Sequence, residues 1–130
     1  MAHPNEDLIR RGFDAYARGE LQAALAEFFS PDVVWHTPGR GPLAGDHAGT
    51  QEVAALLTLV AELSGGTHQI EIHDVLANDD HVVVMHAARG QRGDKQLDVD
   101  ALHLFRIRDG KVAEAWTVHH DLYAWDDFWS

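Results

Sequence analysis

The second half of the chain alternates apolar and polar residues with a period of two, whereas the first half follows helical spacing. The longest alternating stretch, Gln96 to His120, is interrupted only by Asp109-Gly110. An Asp-Gly pair between alternating runs predicts two long strands joined by a tight hairpin turn. Side chains on a strand point alternately to opposite faces, so Val99, Ala101, His103, Phe105 and Ile107 share one face of the first arm. His103 is therefore a polar residue set into an apolar row. Upstream, HQIEIHDVLA leads through Asn78-Asp79-Asp80 into HVVVMHAARGQ, and Arg92-Gly93-Asp94 turns the chain into the long hairpin.

In the first half, Pro4 to Arg18 predicts a helix, with Pro4 at its first position, Glu6 and Asp7 at its positive end and Gly19 as its stop. Leu21 to Phe29 predicts a second helix, ended by Ser30-Pro31, and Val33-Val34-Trp35-His36 a short strand. The glycine- and proline-rich stretch from Thr37 to Gly49 reads as a structureless loop, of a length usually found at the mouth of a site. Thr50 is the expected cap of a third helix, Gln51 to Leu63, which Gly65-Gly66 terminates. Asp121 is expected to cap a last helical turn whose Trp125, Phe128 and Trp129 clasp an open end of the molecule. Helices first and antiparallel strands afterwards predict an α+β fold. Long strands twist and curl, so the sheet becomes a cone-shaped barrel with the N-terminal helices on its concave face. One domain over residues 1–130 is expected.

Composition narrows the partners. Ten Lys plus Arg against 21 Asp plus Glu give a formal charge of −11, a field that repels nucleic acid and anionic membrane. There is no cysteine, which removes disulfides, thiolate nucleophiles and cysteine metal sites. With no signal peptide and no long apolar run, the expected location is the cytoplasm. Both faces of the hairpin carry apolar groups, and Leu102, Leu104, Trp116 and Val118 lie opposite His103. A second copy covering that outer face, giving a homodimer, is the expectation.

The order of elements carries a resemblance. A short strand ending VVWHTPG, the loop PLAGDHAG, a helix, and strands closing on LHLFRIRDGKVAEAW resemble the nuclear transport factor 2-like superfamily, and within it SnoaL-like proteins and ketosteroid isomerase. The resemblance covers nearly the whole chain and implies cofactor-free chemistry in the cone. It puts His36, in WHTP, where the isomerase keeps its carboxylate base. His103 falls where that enzyme has a protonated aspartate. The isomerase's tyrosine donor corresponds to Gly12, with Tyr16 one turn further on the same face. SnoaL-like cyclases carry an acid/base aspartate after the last-strand tryptophan, where this chain has Thr117. The Asp-Arg-Asp chemistry of limonene epoxide hydrolase is not carried over, because Asp98 and Asp100 fall on the face opposite His103.

Three imidazoles, of His36, His103 and His119, are thus expected to converge on a cavity lined by Phe13, Leu56, Val60, Val99, Phe105 and Thr117. A neutral histidine in an apolar pocket stays a free base at neutral pH. His36 is the expected general base, removing a proton alpha to a carbonyl, while His103, with or without Tyr16, hydrogen-bonds the developing oxyanion. The competing reading of His103 is a core histidine bonded to Tyr16 or to a backbone carbonyl; that of His119, beside His120 and Asp121, is a solvated side chain. His47 is most simply solvated. The faces of His68, His73, His81 and His86 are not fixed by the pattern, and a structural role is their default. Three imidazoles bind zinc, or iron with an added carboxylate, but His36, His103 and His119 share no local ligand spacing, and no metal is expected. The chain contains no Ser-His-Asp order, phosphate loop or dinucleotide fingerprint. The expected function is acid/base catalysis, of isomerase, cyclase or dehydratase type, on a small apolar carbonyl compound. The alternative is a non-catalytic protein that binds a hydrophobic ligand.

Overall fold

The computed structural model describes residues 2–130. Helix α1 spans Pro4–Ala17, α2 Leu21–Phe28 and α3 Thr50–Leu63; strands β1 Phe29–Thr37 and β2 Gly45–Ala48 lie between α2 and α3. Strands β3 Gln69–Ala77, β4 His81–Arg92, β5 Lys95–Arg108 and β6 Lys111–His119 follow, and α4 Leu122–Trp129 closes the chain. The six strands form one curved sheet in the order β2-β1-β6-β5-β4-β3. Every pair is antiparallel except β1 with β6. The fold class is the expected α+β one.

The hairpin turn forms as its sequence dictates. Asp109 and Gly110 both take positive φ, 53° and 72°, as a two-residue turn matched to the twist of its arms requires. Ala101, His103, Phe105 and Ile107 are buried on the inner face. The core packs between this face and the helices, with Val33, Val53, Val82, Val84 and Val112 almost wholly enclosed.

Three local expectations are corrected. Phe29 leaves α2, and Ser30-Pro31 belongs to β1 rather than to a helix end. Pro31 is tolerated because the β1–β6 register shifts between Phe29 and Val34, leaving no ladder bond for its missing N–H. The stretch from Thr37 to Gly49 is not structureless: β2 returns along β1, pairing Val34 with Ala48 and Thr37 with Gly45. Thr50 is not the cap of α3. Gly49 holds that position, and Glu52 reaches back to accept a hydrogen bond at 2.8 Å from the N–H of Ala48, one residue before the cap. Asp121 does cap α4, accepting from the Ala124 N–H at 3.1 Å.

Helix α4 closes one end of the barrel. Trp125, Phe128 and Trp129 are buried in it. Arg92 donates to the carbonyls of Phe128 and Ser130, and Lys95 to that of Asp127. These satisfy carbonyls that a helix C-terminus leaves without partners. From the other side, the Asp126 carboxylate accepts from the Arg40 N–H, fastening α4 to the segment between β1 and β2.

Candidate active site

The space between sheet and helices contains a cavity of about 110 Å³. Helix α1 contributes Phe13 and Tyr16, and α3 contributes Leu56 and Val60. The sheet contributes Trp35, Phe105 and Thr117, and α4 contributes Trp125. Its wall is hydrocarbon apart from a few groups, and four of those are histidines: His68, His86, His103 and His119.

Strand register brings them together. Ala101 pairs with His86 on one side and His119 on the other, so its methyl group leaves room for two rings. His103 stands one inward position further along β5, opposite Thr117. Its ring lies 4.4 Å from that of His86, 5.8 Å from Phe13 in a stacked arrangement and 5.4 Å edge-on to Trp35. His119 stacks on Trp125 at 4.0 Å. His68, just before β3, lies 6.1 Å from Trp129. The Trp35 indole N–H donates to the Thr117 hydroxyl at 2.8 Å, which fixes the ring that His103 rests against.

These imidazoles are held neutral. Burial is the main cause in each case, because a low-dielectric surrounding disfavours the charged form. His68, His86 and His119 are pushed down to about 4, and neighbouring His86 lowers both His68 and His119 further. His103 is pushed well below the usual histidine range by burial and then by His86, His119 and His68. Both ring nitrogens of His86 and of His119, and Nδ1 of His68 and His103, are buried without a hydrogen-bond partner among the described residues. A buried polar atom left this way costs about 1–3 kcal/mol. Burial also raises the Tyr16 phenol above its ordinary value, keeping it a proton donor.

Of the residues expected from the sequence, Phe13, Tyr16, Leu56, Val60, His103, Phe105, Thr117 and His119 line this cavity. His36 and Val99 do not. In β1 the inward positions are Val33, Trp35 and Thr37, all buried, and alternation turns His36 to the outer face. There its ring stacks on Trp116 at 5.3 Å. Nδ1 lies 2.7 Å from the Asp46 carboxylate and Nε2 2.6 Å from that of Glu114. Asp46 first and Glu114 second raise its pKa. The expected convergence of His36 with His103 and His119 is therefore corrected: Trp35 occupies the inward place. Val99 shares its face with His103 but packs against the edge of the core.

His86 and His68 are the site residues that pattern alone missed. The run Val82-Val83-Val84-Met85 is apolar on both faces, so alternation could not orient β4. Only the pairing of His86 with Ala101, whose face the hairpin does fix, would have revealed it. His47 donates from Nε2 to the Leu43 carbonyl, 2.9 Å away, and takes no part in the cavity. Among the described residues, no group of three or more His, Asp or Glu side chains is placed to hold a metal ion. No helix is long and apolar enough to cross a membrane.

Comparison with known proteins agrees with this architecture. Residues 9–115 match the SnoaL-like domain. An uncharacterised protein of Mycobacterium tuberculosis is 36% identical over 125 residues, 95% of each chain. The structure of Bal32a, from a soil-derived mobile gene cassette, is 37% identical with a TM-score of 0.93, covering 98% of this chain and 97% of that one. A Xanthomonas campestris protein of unknown function with a cystatin-like fold is 33% identical with a TM-score of 0.88, covering 95% and 96%. With the domain matched over most of its length, the chain belongs to the SnoaL-like family of the nuclear transport factor 2-like superfamily.

Proposed function

We propose that this protein is a small acid/base enzyme of the isomerase, cyclase or dehydratase kind, acting on an apolar carbonyl compound held against His86 and His103. The observation that carries the reading is the pair of buried rings 4.4 Å apart with unpartnered nitrogens. A neutral imidazole offers one lone pair and one N–H. His103 takes the proton alpha to the carbonyl through Nε2, the nitrogen of its ring that is not sealed from the cavity, and Tyr16 donates to the oxygen as charge develops there. The proton then returns from His103 to the carbon or oxygen that the reaction leaves electron-rich. General-base and oxyanion contributions of roughly two to four orders of magnitude each are at stake. A base whose conjugate acid lies so low is weak, which restricts the chemistry to substrates that are already acidic, such as a carbon between two carbonyls. Membership of the SnoaL-like family supports small-molecule cyclase or isomerase chemistry.

A second reading has its own observation. Catalytic histidines are ordinarily oriented by a carboxylate or carbonyl on their second nitrogen, and among the described residues no Asp or Glu lines this cavity. That favours a protein that binds a hydrophobic ligand without converting it. The test is a screen of cyclic ketones and 1,3-dicarbonyl compounds for binding and for turnover, with His86→Ala and His103→Ala alongside. Normal binding with lost turnover in the variants upholds the enzyme. Binding by wild type with no turnover of any bound compound upholds the second reading.

A further inference from the structure

We infer that Thr117 is the hydrogen-bond donor that holds the ligand's oxygen beside His103, with Trp35 as the positioning residue that aims it. The inference rests on the proposed use of this cavity as the ligand site, and it adds the group that fixes the ligand's polar end.

The direction of one hydrogen bond carries the argument. An indole N–H donates and cannot accept, whereas a hydroxyl does both. The bond from Trp35 Nε1 to Thr117 Oγ1, at 2.8 Å, therefore takes a lone pair of the oxygen and turns the hydroxyl proton away from the indole. Among the described residues that proton meets no acceptor. Donation by Trp35 also polarises the hydroxyl and strengthens the bond it gives in turn. The indole has little freedom to turn. It is 6% exposed, stacked on Phe29 and edge-on to His103 and Phe105.

Register places the donor. Thr117 is half-buried, faces inward on β6 and lines the cavity. It pairs with His103 across the β5–β6 ladder, and directly opposed side chains on one face stand about 4.5–5.5 Å apart at Cβ. Of the His103 ring nitrogens, Nδ1 is sealed and Nε2 is not. In a ketone a single carbon separates the oxygen from the alpha carbon. A ketone that accepts the Thr117 proton can thus set its alpha carbon against the neighbouring imidazole. The ligand class that follows carries an acceptor oxygen, such as a ketone or ester carbonyl, rather than an alkyl or halogen group of the same shape.

The test compares two molecules of one shape, acetone and 2-chloropropane, of which only the first has a good acceptor. Each has four heavy atoms, in proportion to a cavity of about 110 Å³ when one of ~150 Å³ holds the six of benzene. Their Kd values are read from the backbone amide resonances of the 15N-labelled full chain around Thr117 and His103. The ratio of the two is the measurement, because a packing defect shifts both together. Thr117→Val is expected to cut the preference for acetone about three- to tenfold, the effect of one hydrogen bond. Thr117→Ser, which keeps the hydroxyl, is expected to preserve it. Should Thr117→Val not fold, Trp35→Phe/Thr117→Val removes both partners, which a buried site tolerates better, and is compared with Trp35→Phe. An unchanged ratio on loss of the hydroxyl overturns the proposal. So does a ratio lost equally in Thr117→Ser, or acetone leaving these resonances still at about 100 mM. An unchanged ratio alongside turnover in the ketone screen sinks this inference alone. A ratio that falls as expected while no bound compound turns over sinks only the enzyme.

Discussion

At the scale of single residues, position on a strand decides what a histidine does. His36 and His103 each stand one place from a residue that points the other way, and that single step separates a surface ion-pair from a buried base. His36 is clamped between Asp46 and Glu114, so its folded pKa is raised. Its contribution to stability is present in full below about pH 6.5 and is lost as pH rises through the raised value. For a partly exposed pair this amounts to at most about 1 kcal/mol. His36→Ala should therefore lower the urea midpoint slightly at pH 6, less at pH 9, and leave ligand binding in the cavity unchanged. The buried four behave oppositely. Their folded pKa values lie below the unfolded one, so the unfolded chain binds more protons as pH falls from about 6.5 towards 4. Each titrating ring removes about 1.4 kcal/mol of stability per pH unit in that window. Urea unfolding at pH 7 and pH 5 should show a steep loss for wild type and a shallower one for the double variant His86→Leu/His103→Phe. Equal slopes would contradict the burial of these rings.

At the scale of elements, the same alternation explains how much of the site was legible beforehand. The hairpin could be oriented because Asp109-Gly110 fixes its register and its apolar row is continuous, so His103, Phe105, Thr117 and His119 were placed from the sequence. Strand β1 offered four residues with apolar groups on both faces, and the family position of His36 pointed inward where alternation with Trp35 turns it out. Strand β4 is apolar on both faces and gave no orientation at all, which hid His86. The return of β2 along β1 was hidden by glycines, whose freedom reads as loop. Gly39 shows what that freedom is for. Its φ is +100°, and a Cβ there would collide with the Asp126 carboxylate that ties α4 to this segment. Gly39→Ala should destabilise by about 2–3 kcal/mol and loosen α4, seen as a lower melting midpoint and a change in Trp125 fluorescence. Gly110→Ala, also at positive φ but facing open space, should cost about 1 kcal/mol and leave the fluorescence alone.

At the scale of the whole molecule, the sheet has two apolar faces and the helices cover one. On the other, Leu102 pairs with Met85 and Val118, and Leu104 with Val83 and Trp116. Met85 and Val118 are 41% and 48% exposed, and Leu76 beyond them 55%. We propose that a second copy covers these rows, as the sequence pattern led us to expect. Sedimentation at micromolar concentration should give the dimer mass, and Val118→Glu the monomer mass with the fold intact; a monomeric wild type would contradict this. The inner face carries the larger claim, that the protein keeps four imidazoles neutral around the cavity. The direct measurement is the ring-nitrogen spectrum of the 15N-labelled histidines followed from about pH 8 down to pH 4. Four rings, assigned by single substitution to His68, His86, His103 and His119, should keep the shifts of neutral imidazole at pH 6, where ordinary histidines are mostly protonated. If His86 and His103 titrate near the ordinary histidine value of about 6.5, the account is wrong.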